Sequence, residues 1–180
     1  MEPAVPDPRP LVGEPLSLDL LNTRWIEAGR GRDLLDSTGG LAVWLRSAGL
    51  RDRAEADRAT LDALLETRRI LLALVDGDPS ADALNRVLAH GAVRYRLGVD
   101  GPERRPETDD PAWLPAWLAA ADYLRLLGDS PGRVKACAHP DCVLYFHDAT
   151  KNGTRRWCSM AACGNRAKAA RHYERAKTRD

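Results

Sequence analysis

The sequence has no long apolar segment. Its apolar runs, such as ILLALV at 70–75, do not exceed six residues, whereas a helix that spans a bilayer needs about 20. The proline-rich start, MEPAVPDPRPLVGEP, has one arginine, away from any apolar stretch. It therefore lacks the order of charge and hydropathy that marks a secretory signal. We expect a cytoplasmic protein without a membrane helix.

Recognisable catalytic motifs are also missing. The sequence contains no glycine-rich nucleotide-binding motif and no nucleophile paired with an evident base. The first 132 residues show no repeat of the length found in solenoid proteins. We therefore expect neither an enzyme nor a repeat protein.

The chain lacks an overall excess of charge of one sign, with a formal net charge of +1 over 180 residues. The charge is nevertheless uneven along the sequence. Residues 133–180 hold 11 Lys and Arg against 4 Asp and Glu, and residues 1–132 hold 16 against 22. Together with the turn-forming GDSPG at 128–132, this predicts an N-terminal domain over 1–132 and a small basic module over 133–180.

The N-terminal part is predicted to be mainly α-helical with a few short strands. Apolar residues recur at helical spacing in several segments that end near glycine. The predicted helices follow Ser37 up to Gly49, cover 55–76, begin at Asp78 and Pro79 and run to Gly91, and cover 112–127 with Pro115 in the first turn.

Other N-terminal segments are less clearly patterned. LSLDLLNTRW at 16–25 fits either a strand or a short helix, whereas VRYRLGV at 93–99 alternates like a strand. Residues 98–111 have many turn formers and no apolar periodicity, so we expect a surface loop. Asp19 and Asn22 interrupt the apolar segment 16–25, and they either touch a small effector or cap a turn.

Cysteine is absent before residue 137, and all four cysteines then fall within 27 residues. Four residues separate Cys137 from Cys142, fifteen separate Cys142 from Cys158, and four separate Cys158 from Cys163. Two close pairs with a hairpin-sized gap are typical of one structural zinc ion held by four thiolates. An apolar run at 143–146, an Asn152-Gly153 turn and a return over 155–157 suggest a hairpin, followed by a helix. This order predicts a treble-clef-like module of knuckle, hairpin and helix.

Other uses of the cysteines fit less well. Two disulfides would need export from the cytoplasm, and His139 or His147 could replace a thiolate only if the four cysteines did not already complete the site. A closed site of four ligands leaves no position for water, so we expect no catalytic zinc. Redox sensing through thiolate oxidation and zinc release stays open.

The module is rich in basic residues. Lys135, Arg155, Arg156 and Arg166 flank the ligands and could offset the negative charge of a zinc–thiolate centre. Further along, basic residues at spacings of three and four share one helix face beside Ala169, Ala170, Tyr173 and Ala176. Such a stripe suits phosphate contacts. The candidate nucleic-acid-binding residues are Arg155, Arg156, Arg166, Lys168, Arg171, Arg175 and Arg179.

Several alternatives follow from this module. Tyr145, Phe146 and Trp157 either form a miniature core or stack on nucleobases. The basic helix could hold RNA or an acidic protein instead of DNA, or be a solvated C-terminal helix. Because one short helix gives little interface for tight specific binding, a homodimer is a further expectation.

The segments RVKACAHPDC, YFHD and RRWCSMAACGNRAK resemble a bacterial family of stress-induced transcriptional regulators, with an N-terminal ABATE domain and a C-terminal CGNR zinc finger. Cys163, Gly164, Asn165 and Arg166 spell the name of the finger. LDLLNT at 18–23, WLRSAGL at 44–50 and the helix around TRRILLAL extend the resemblance over most of the chain. The resemblance implies one zinc ion, nucleic-acid binding by the finger, and effector sensing or dimerisation by the N-terminal domain.

Overall fold

The structure is a computed structural model that describes residues 6–78 and 81–169. Within these two ranges the α-helices are α1 (Leu16–Leu21), α2 (Thr38–Ser47), α3 (Arg58–Val75), α4 (Ala81–Ala89) and α5 (Leu114–Asp129). The strands form antiparallel pairs, β1 (Arg24–Glu27) with β2 (Arg30–Asp33), β3 (Gly91–Gly98) with β4 (Gly101–Thr108), and β5 (Val134–Ala136) with β6 (Tyr145–His147). A search of the described helices finds none with the length and hydropathy to cross a membrane.

The segment 16–25, which fits two structures by its pattern, forms helix α1 and the start of strand β1. Five of the six α1 residues are buried, because the helix packs between α3 and α5. The Ser17 backbone N–H and hydroxyl donate to Asp122 Oδ2 of α5 at 3.0 and 2.8 Å. Leu18, Leu20 and Leu21 are at most 1% exposed and lie at the centre of the core. Helix α1 therefore lies in the core of the N-terminal part.

The helices predicted after Ser37, over 55–76 and over 112–127 are confirmed. Ser37 Oγ accepts the Gly40 backbone N–H, and an Asp57 carboxylate oxygen accepts that of Thr60, so α2 and α3 each begin at a capping side chain. Gly40 is required at its position because a Cβ there would collide with the Leu34 carbonyl oxygen. Helix α4 confirms the helix expected before Gly91, but Pro79 in its expected first turn lies outside the described residues.

The surface loop predicted for 98–111 is wrong. Residues 101–108 form strand β4, which pairs with β3 from Gly91↔Thr108 to Gly98↔Gly101. Pro102 and Pro106 made this segment look irregular, because proline cannot donate a backbone hydrogen bond. The two prolines are four residues apart in a strand with one neighbour, so both nitrogens lie on the same edge of β4. If that edge faces away from β3, the missing N–H groups remove no hydrogen bond from the β3–β4 ladder.

A second hairpin, β1–β2, has no clear signal in the sequence. Its two-residue turn consists of Ala28 and Gly29, with φ of +48° and +74°. Positive φ at both turn residues matches the twist of a tight hairpin, but alanine rarely adopts this conformation. The charged strand residues on both sides also hide the alternation that usually indicates a strand.

The C-terminal module contains the predicted knuckle, hairpin and helix, but the knuckle lies inside the hairpin and the strands pair differently from the expectation. Strand β6 pairs with β5, which precedes the first two cysteines, with Val134 opposite His147. The Asn152-Gly153 turn is present, with Gly153 at φ +62°, yet residues 155–157 form no strand. A π-helical turn, Met160–Gly164, then continues as α-helix over 165–169.

Candidate metal centre and basic surface

The four cysteine sulfurs converge on one point. The Sγ atoms of Cys137, Cys142, Cys158 and Cys163 all lie within 4.8 Å of one another. The Cys142–Cys158 and Cys158–Cys163 sulfurs are 3.8 and 3.6 Å apart. Four sulfurs at about 2.3 Å from a tetrahedral zinc ion lie about 3.8 Å apart, whereas a disulfide bond is about 2.05 Å long. The four thiols are free, and their arrangement fits one structural zinc ion.

Two local structures deliver the four sulfurs. Cys137 and Cys142 lie in the loop between β5 and β6, where the Cys142 N–H donates to the His139 carbonyl. Cys158 lies two residues before the π-helical turn, and Cys163 lies inside it. The Ser159 side chain caps this turn by accepting the Ala162 N–H. The prediction of two turns that present one pair of cysteines each is confirmed.

The thiols strongly influence one another. A hydrogen bond from Cys158 lowers the pKa of Cys142 to about 5, and that same hydrogen bond raises the pKa of Cys158. Burial raises the pKa of Cys163. One thiolate is therefore favoured at the expense of the others, because several negative charges cannot share so small a volume alone. A divalent cation at the centre removes this conflict and allows all four to ionise.

The Arg166 guanidinium contacts the sulfur atom of a ligand. Its Nη2 lies 3.3 Å from the Cys163 sulfur, and its own pKa is raised by this interaction. The remainder of the Arg166 side chain is exposed to solvent. Arg166 can therefore offset part of the zinc–thiolate charge while the guanidinium stays accessible from outside.

Lys135 serves a different partner. Its Nζ donates to Asp148 Oδ2 at 2.7 Å, and Asp148 is buried. Burial raises the pKa of this carboxyl, but hydrogen bonds from Lys135, Thr150 and the Arg155 backbone outweigh it and hold the pKa of Asp148 well below its usual range. The Asp148 carboxylate thus ties β5 to the loop that leads back to the second cysteine pair.

Arg155 is held by the protein through all three guanidinium nitrogens. Nε donates to the Trp157 carbonyl, Nη1 to the His147 carbonyl, and Nη2 to the Cys158 carbonyl and Glu14 Oε1. The guanidinium also lies 4.2 Å from the centre of the Phe146 ring. These contacts give Arg155 a structural role at the centre of the module.

Arg156, the next residue, is exposed. Its guanidinium lies 5.2 Å from the Trp157 ring centre, and the same ring borders an open cleft of about 590 Å³. Phe146 is fully buried and belongs to the module core, whereas Tyr145 and Trp157 are half-buried. The cleft is lined by Thr150, Thr154, Arg155, Arg156, Trp157, Cys158, Ser159 and Met160.

Three of the predicted basic residues, Arg171, Arg175 and Arg179, lie outside the described residues. Lys168 is described and exposed, close after the zinc ligand Cys163. The described part of the basic surface therefore consists of Arg156, Arg166 and Lys168.

Asp19 is buried in an ion network of the N-terminal part. Its Oδ1 accepts hydrogen bonds from Arg9 Nη1 at 2.7 Å and from the Trp44 indole at 3.0 Å. Its Oδ2 accepts the Gly13 N–H. The Arg9 side chain is fully buried and also pairs with Asp7 at 2.7 Å. Asp19 therefore fixes the N-terminal segment onto α1 and α2, and we assign it no effector.

Asn22 joins the two parts of the chain. Its Nδ2 donates to the Tyr145 carbonyl at 2.9 Å, and its Oδ1 accepts the Tyr145 N–H at 2.8 Å. The side chain is fully buried, so we assign Asn22 a structural role as well. The polar interruption at this position signalled importance, but its partner lies 123 residues away and cannot be found from the local pattern.

Two further side chains hold the module on the N-terminal part. Glu14 accepts the His147 N–H at 2.9 Å through Oε2, in addition to its contact with Arg155. The Tyr145 hydroxyl donates to Asp76 Oδ1 at 3.0 Å, at the end of α3. Sequence reasoning missed Glu14 and Asp76, because a single acidic residue in a loop or at a helix end has no distinctive pattern.

A cleft of about 280 Å³ lies beside this junction. It has walls from both parts of the chain, including Ile26 of β1, Leu72 of α3, and Val143 and Tyr145 of the module. Arg24 and Arg32 provide positive charge at the cleft, although Arg32 pairs with Glu27. Both parts of the chain contribute apolar side chains to this junction cleft.

Comparison with known families accounts for nearly the whole chain. Residues 133–176 match the CGNR zinc finger, and residues 14–130 match the ABATE family, described as "Putative stress-induced transcription regulator". No curated protein matches the chain in a sequence search. The two family matches agree with the four-cysteine centre and with the mainly helical N-terminal part. The chain therefore belongs to the ABATE family and carries a C-terminal CGNR zinc finger with one structural zinc ion.

Proposed function

We propose that this protein is a cytoplasmic transcription regulator whose zinc finger binds DNA. The observation that carries the proposal is the concentration of positive charge in residues 133–180, which hold 11 basic and 4 acidic residues. Phosphate contacts supply most of the sequence-independent affinity of DNA-binding proteins. The acidic N-terminal part would repel DNA, so binding is expected at the finger. We propose no catalytic activity.

The zinc centre supports this proposal by giving a small module a fixed shape. Arg156 lies before the second cysteine pair, and Arg166 and Lys168 follow it, so zinc binding fixes the backbone from which these exposed side chains project. We propose the basic surface as the described part of the DNA contact. Arg171, Arg175 and Arg179 extend it at helical spacing along the sequence. Arg155 is left out, because its guanidinium is occupied within the finger.

Structured RNA is the second candidate ligand, since phosphate contacts do not distinguish it from DNA. The half-buried Trp157 beside the open cleft favours this alternative to the extent that an unpaired base could stack there. An acidic protein partner is the third candidate, because the same cations would attract carboxylates. These alternatives differ in how binding depends on salt and on the nucleic acid offered.

The test is binding of the purified, zinc-loaded full chain to random duplex DNA, to hairpin RNA and to an acidic protein across a salt series. Binding to duplex DNA that weakens linearly with log salt is the expected result. Stronger binding to hairpin RNA at every salt concentration would replace DNA by RNA. Absence of binding to either nucleic acid at low salt would contradict the proposal and leave the basic residues to a protein partner.

The regulator proposal includes effector sensing, and we place it at the junction cleft. A small apolar anion would fit walls made of Ile26, Leu72 and Val143 with Arg24 at the side. Since both parts line the cleft, such a ligand would act on their junction. A thermal-shift screen of small aromatic carboxylates tests this placement. Stabilisation that persists in Arg24→Ala would move the effector elsewhere.

A further inference from the structure

The β3–β4 hairpin exposes an apolar face. Along β3, alternate side chains point to the same side. On that side Val93, Tyr95 and Leu97 are 41%, 67% and 81% exposed, and Val99 in the turn is fully exposed. Exposure increases towards the tip, and at the base Gly91 lies against Trp117 of α5.

Strand β4 completes this face with mostly apolar residues. Pro106, Arg104 and Pro102 lie opposite Val93, Tyr95 and Leu97. The Arg104 guanidinium lies 5.3 Å from the centre of the Tyr95 ring, so the single charge on the face covers an aromatic ring. We call the six side chains the hairpin face: Val93, Tyr95, Leu97, Pro102, Arg104 and Pro106.

A two-stranded hairpin with little support is at best marginally stable in water. Both strands have eight residues, and most of them are exposed. Contiguous apolar surface of this kind on a soluble protein usually marks an interaction site. We therefore expect the hairpin face to contact a partner, and the neighbouring charges indicate what kind of partner it is.

The edges of the hairpin are poor places for a partner strand. Pro102 and Pro106 remove two donors from the same edge of β4, which disfavours addition of a strand there. On β3, Arg94 and Arg96 lie on the opposite face from Tyr95. A second β3 strand paired antiparallel about Tyr95 would place Arg94 opposite the partner's Arg96, and like charges in that position are destabilising. Contact through the apolar face avoids both problems.

The charges of the hairpin favour neither nucleic acid nor an anionic membrane. Residues 91–108 contain four arginines and three acidic residues. Arg94 pairs with Glu107 at 2.8 Å and Arg105 with Glu103 at 3.3 Å. The charge of the hairpin is nearly balanced and its exposed face is largely apolar. Because every copy of the protein has this face, it is suited to contact with the same face of a second copy. The six side chains of the hairpin face offer roughly 500 Å², so two copies would bury about 1,000 Å² in total, near the lower limit of a specific interface.

We propose that the hairpin face is the contact surface of a homodimer, in which two copies pack their β3–β4 faces together about a twofold axis. Side chains from two facing sheets interdigitate at a spacing of about 10 Å. Tyr95 and Leu97 lie at the centre of the contact. The proposal is independent of nucleic-acid binding, since none of these residues belongs to the basic surface.

Sedimentation of the zinc-loaded full chain over a range of concentrations tests the proposal. We expect a monomer–dimer equilibrium in the wild type, and a monomer in the double variant Tyr95→Ser, Leu97→Ser at every concentration. Arg96→Ser changes the same strand on the opposite side and should keep the dimer. Zinc content and circular dichroism establish that each variant is folded.

Hydrogen exchange provides a second measurement without any substitution. Amides at 91–108 should exchange more slowly in concentrated than in dilute wild-type protein, while the amides of α3 exchange alike in both. A wild type that stays monomeric at its highest soluble concentration would overturn the proposal. A dimer that survives the double substitution, or that shows no concentration-dependent protection at the hairpin, would equally overturn it.

Discussion

The side-chain amide of Asn22 takes the place of a β-strand beside Tyr145. Its oxygen accepts the Tyr145 N–H at 2.8 Å and its nitrogen donates to the Tyr145 carbonyl at 2.9 Å. Strand β6 thus has β5 on one side, and on its other edge the Asn22 carboxamide binds Tyr145 while Glu14 and Arg155 bind the backbone of His147. Because both backbone groups of Tyr145 are satisfied by one side chain, this contact is the most specific link between the finger and the N-terminal part.

Replacing Asn22 with alanine should weaken this link. The Tyr145 N–H and carbonyl would lose their partners at a buried position, so we expect the free energy of unfolding to fall by about 2 to 4 kcal/mol. Urea denaturation of the zinc-loaded protein measures the change. Asn85→Ala is the matched control, since Asn85 is exposed on α4 and should change stability by less than about 0.5 kcal/mol. Equal effects of the two substitutions would contradict the role of Asn22.

The Tyr145 hydroxyl should make the stability of the protein depend on pH in the alkaline range. Burial, together with the hydrogen bond to Asp76, raises the pKa of Tyr145 to about 12. A raised pKa adds stability that is complete below the unfolded value of about 10 and is lost as pH rises through the folded value. The wild type should therefore be more stable than Tyr145→Phe by about 1 kcal/mol near neutral pH, and this advantage should decline between pH 10 and 12. Urea midpoints of both proteins across that interval, together with tyrosinate absorbance, measure this decline. A stability difference that stays constant with pH would contradict the prediction.

Removal of one ligand should remove the zinc ion. Cys158→Ser leaves three thiolates, so we expect loss of bound zinc and unfolding of residues 133–180, while α2, α3 and α5 remain. Metal analysis gives the zinc content, and hydrogen exchange resolves the two parts of the chain. Chelation of zinc from the wild type should give the same exchange pattern. A variant with full zinc content and a native exchange pattern would show that Cys158 is not a structural ligand.

The neighbours Arg155 and Arg156 should have different roles, Arg155 in stability and Arg156 in DNA binding. Arg155→Ala removes hydrogen bonds to three carbonyls and the contact with Phe146, so unfolding should become easier by about 2 kcal/mol or more. Arg155→Lys should not restore stability, because an ammonium group lacks the planar fork. Arg156→Ala should leave stability nearly unchanged and weaken DNA binding. Urea denaturation and binding assays on the same preparations decide the matter, and the reverse assignment would exclude Arg156 from the basic surface.

The sequence also predicts that Arg171 and Arg175 contact phosphate. The double variant Arg171→Ala, Arg175→Ala should keep its zinc and bind duplex DNA more weakly. The slope of log affinity against log salt should become shallower by about 2, or about 1 for each lost phosphate contact. Arg58→Ala, Arg69→Ala removes the same charge from exposed positions of α3 and is the control. Unchanged affinity and slope would remove both arginines from the DNA contact.

The zinc centre could be predicted from the sequence because its signal is local and chemical. The spacing of Cys137, Cys142, Cys158 and Cys163 indicates the metal, the number of ligands and the two turns. Helices α2 and α3 begin at the capping side chains of Ser37 and Asp57, which are also local signals. The residues that define the zinc site, and those that define each helix start, lie close to one another in the sequence.

The remaining features depend on contacts between distant segments. Strand β4 looked like a loop because its prolines and charges hide the alternation, and only its pairing with β3 makes it a strand. Strand β6 was expected to pair with 155–157, yet β5 supplies the closer partner across the knuckle. Asp19 and Asn22 were recognised as unusual, but Arg9, Trp44 and Tyr145 became known as their partners only from the fold.

The buried pair of Arg9 with Asp19 determines where a fragment of this protein can begin. The ABATE match starts at residue 14, which would suggest cloning from that position. Such a fragment would leave the Asp19 carboxylate buried without its guanidinium, at a cost of about 3 to 5 kcal/mol. Because Asp7 holds the other side of the same guanidinium, a recombinant fragment should start before Asp7, and residues 7–15 belong to the folded unit that crystallisation or screening requires.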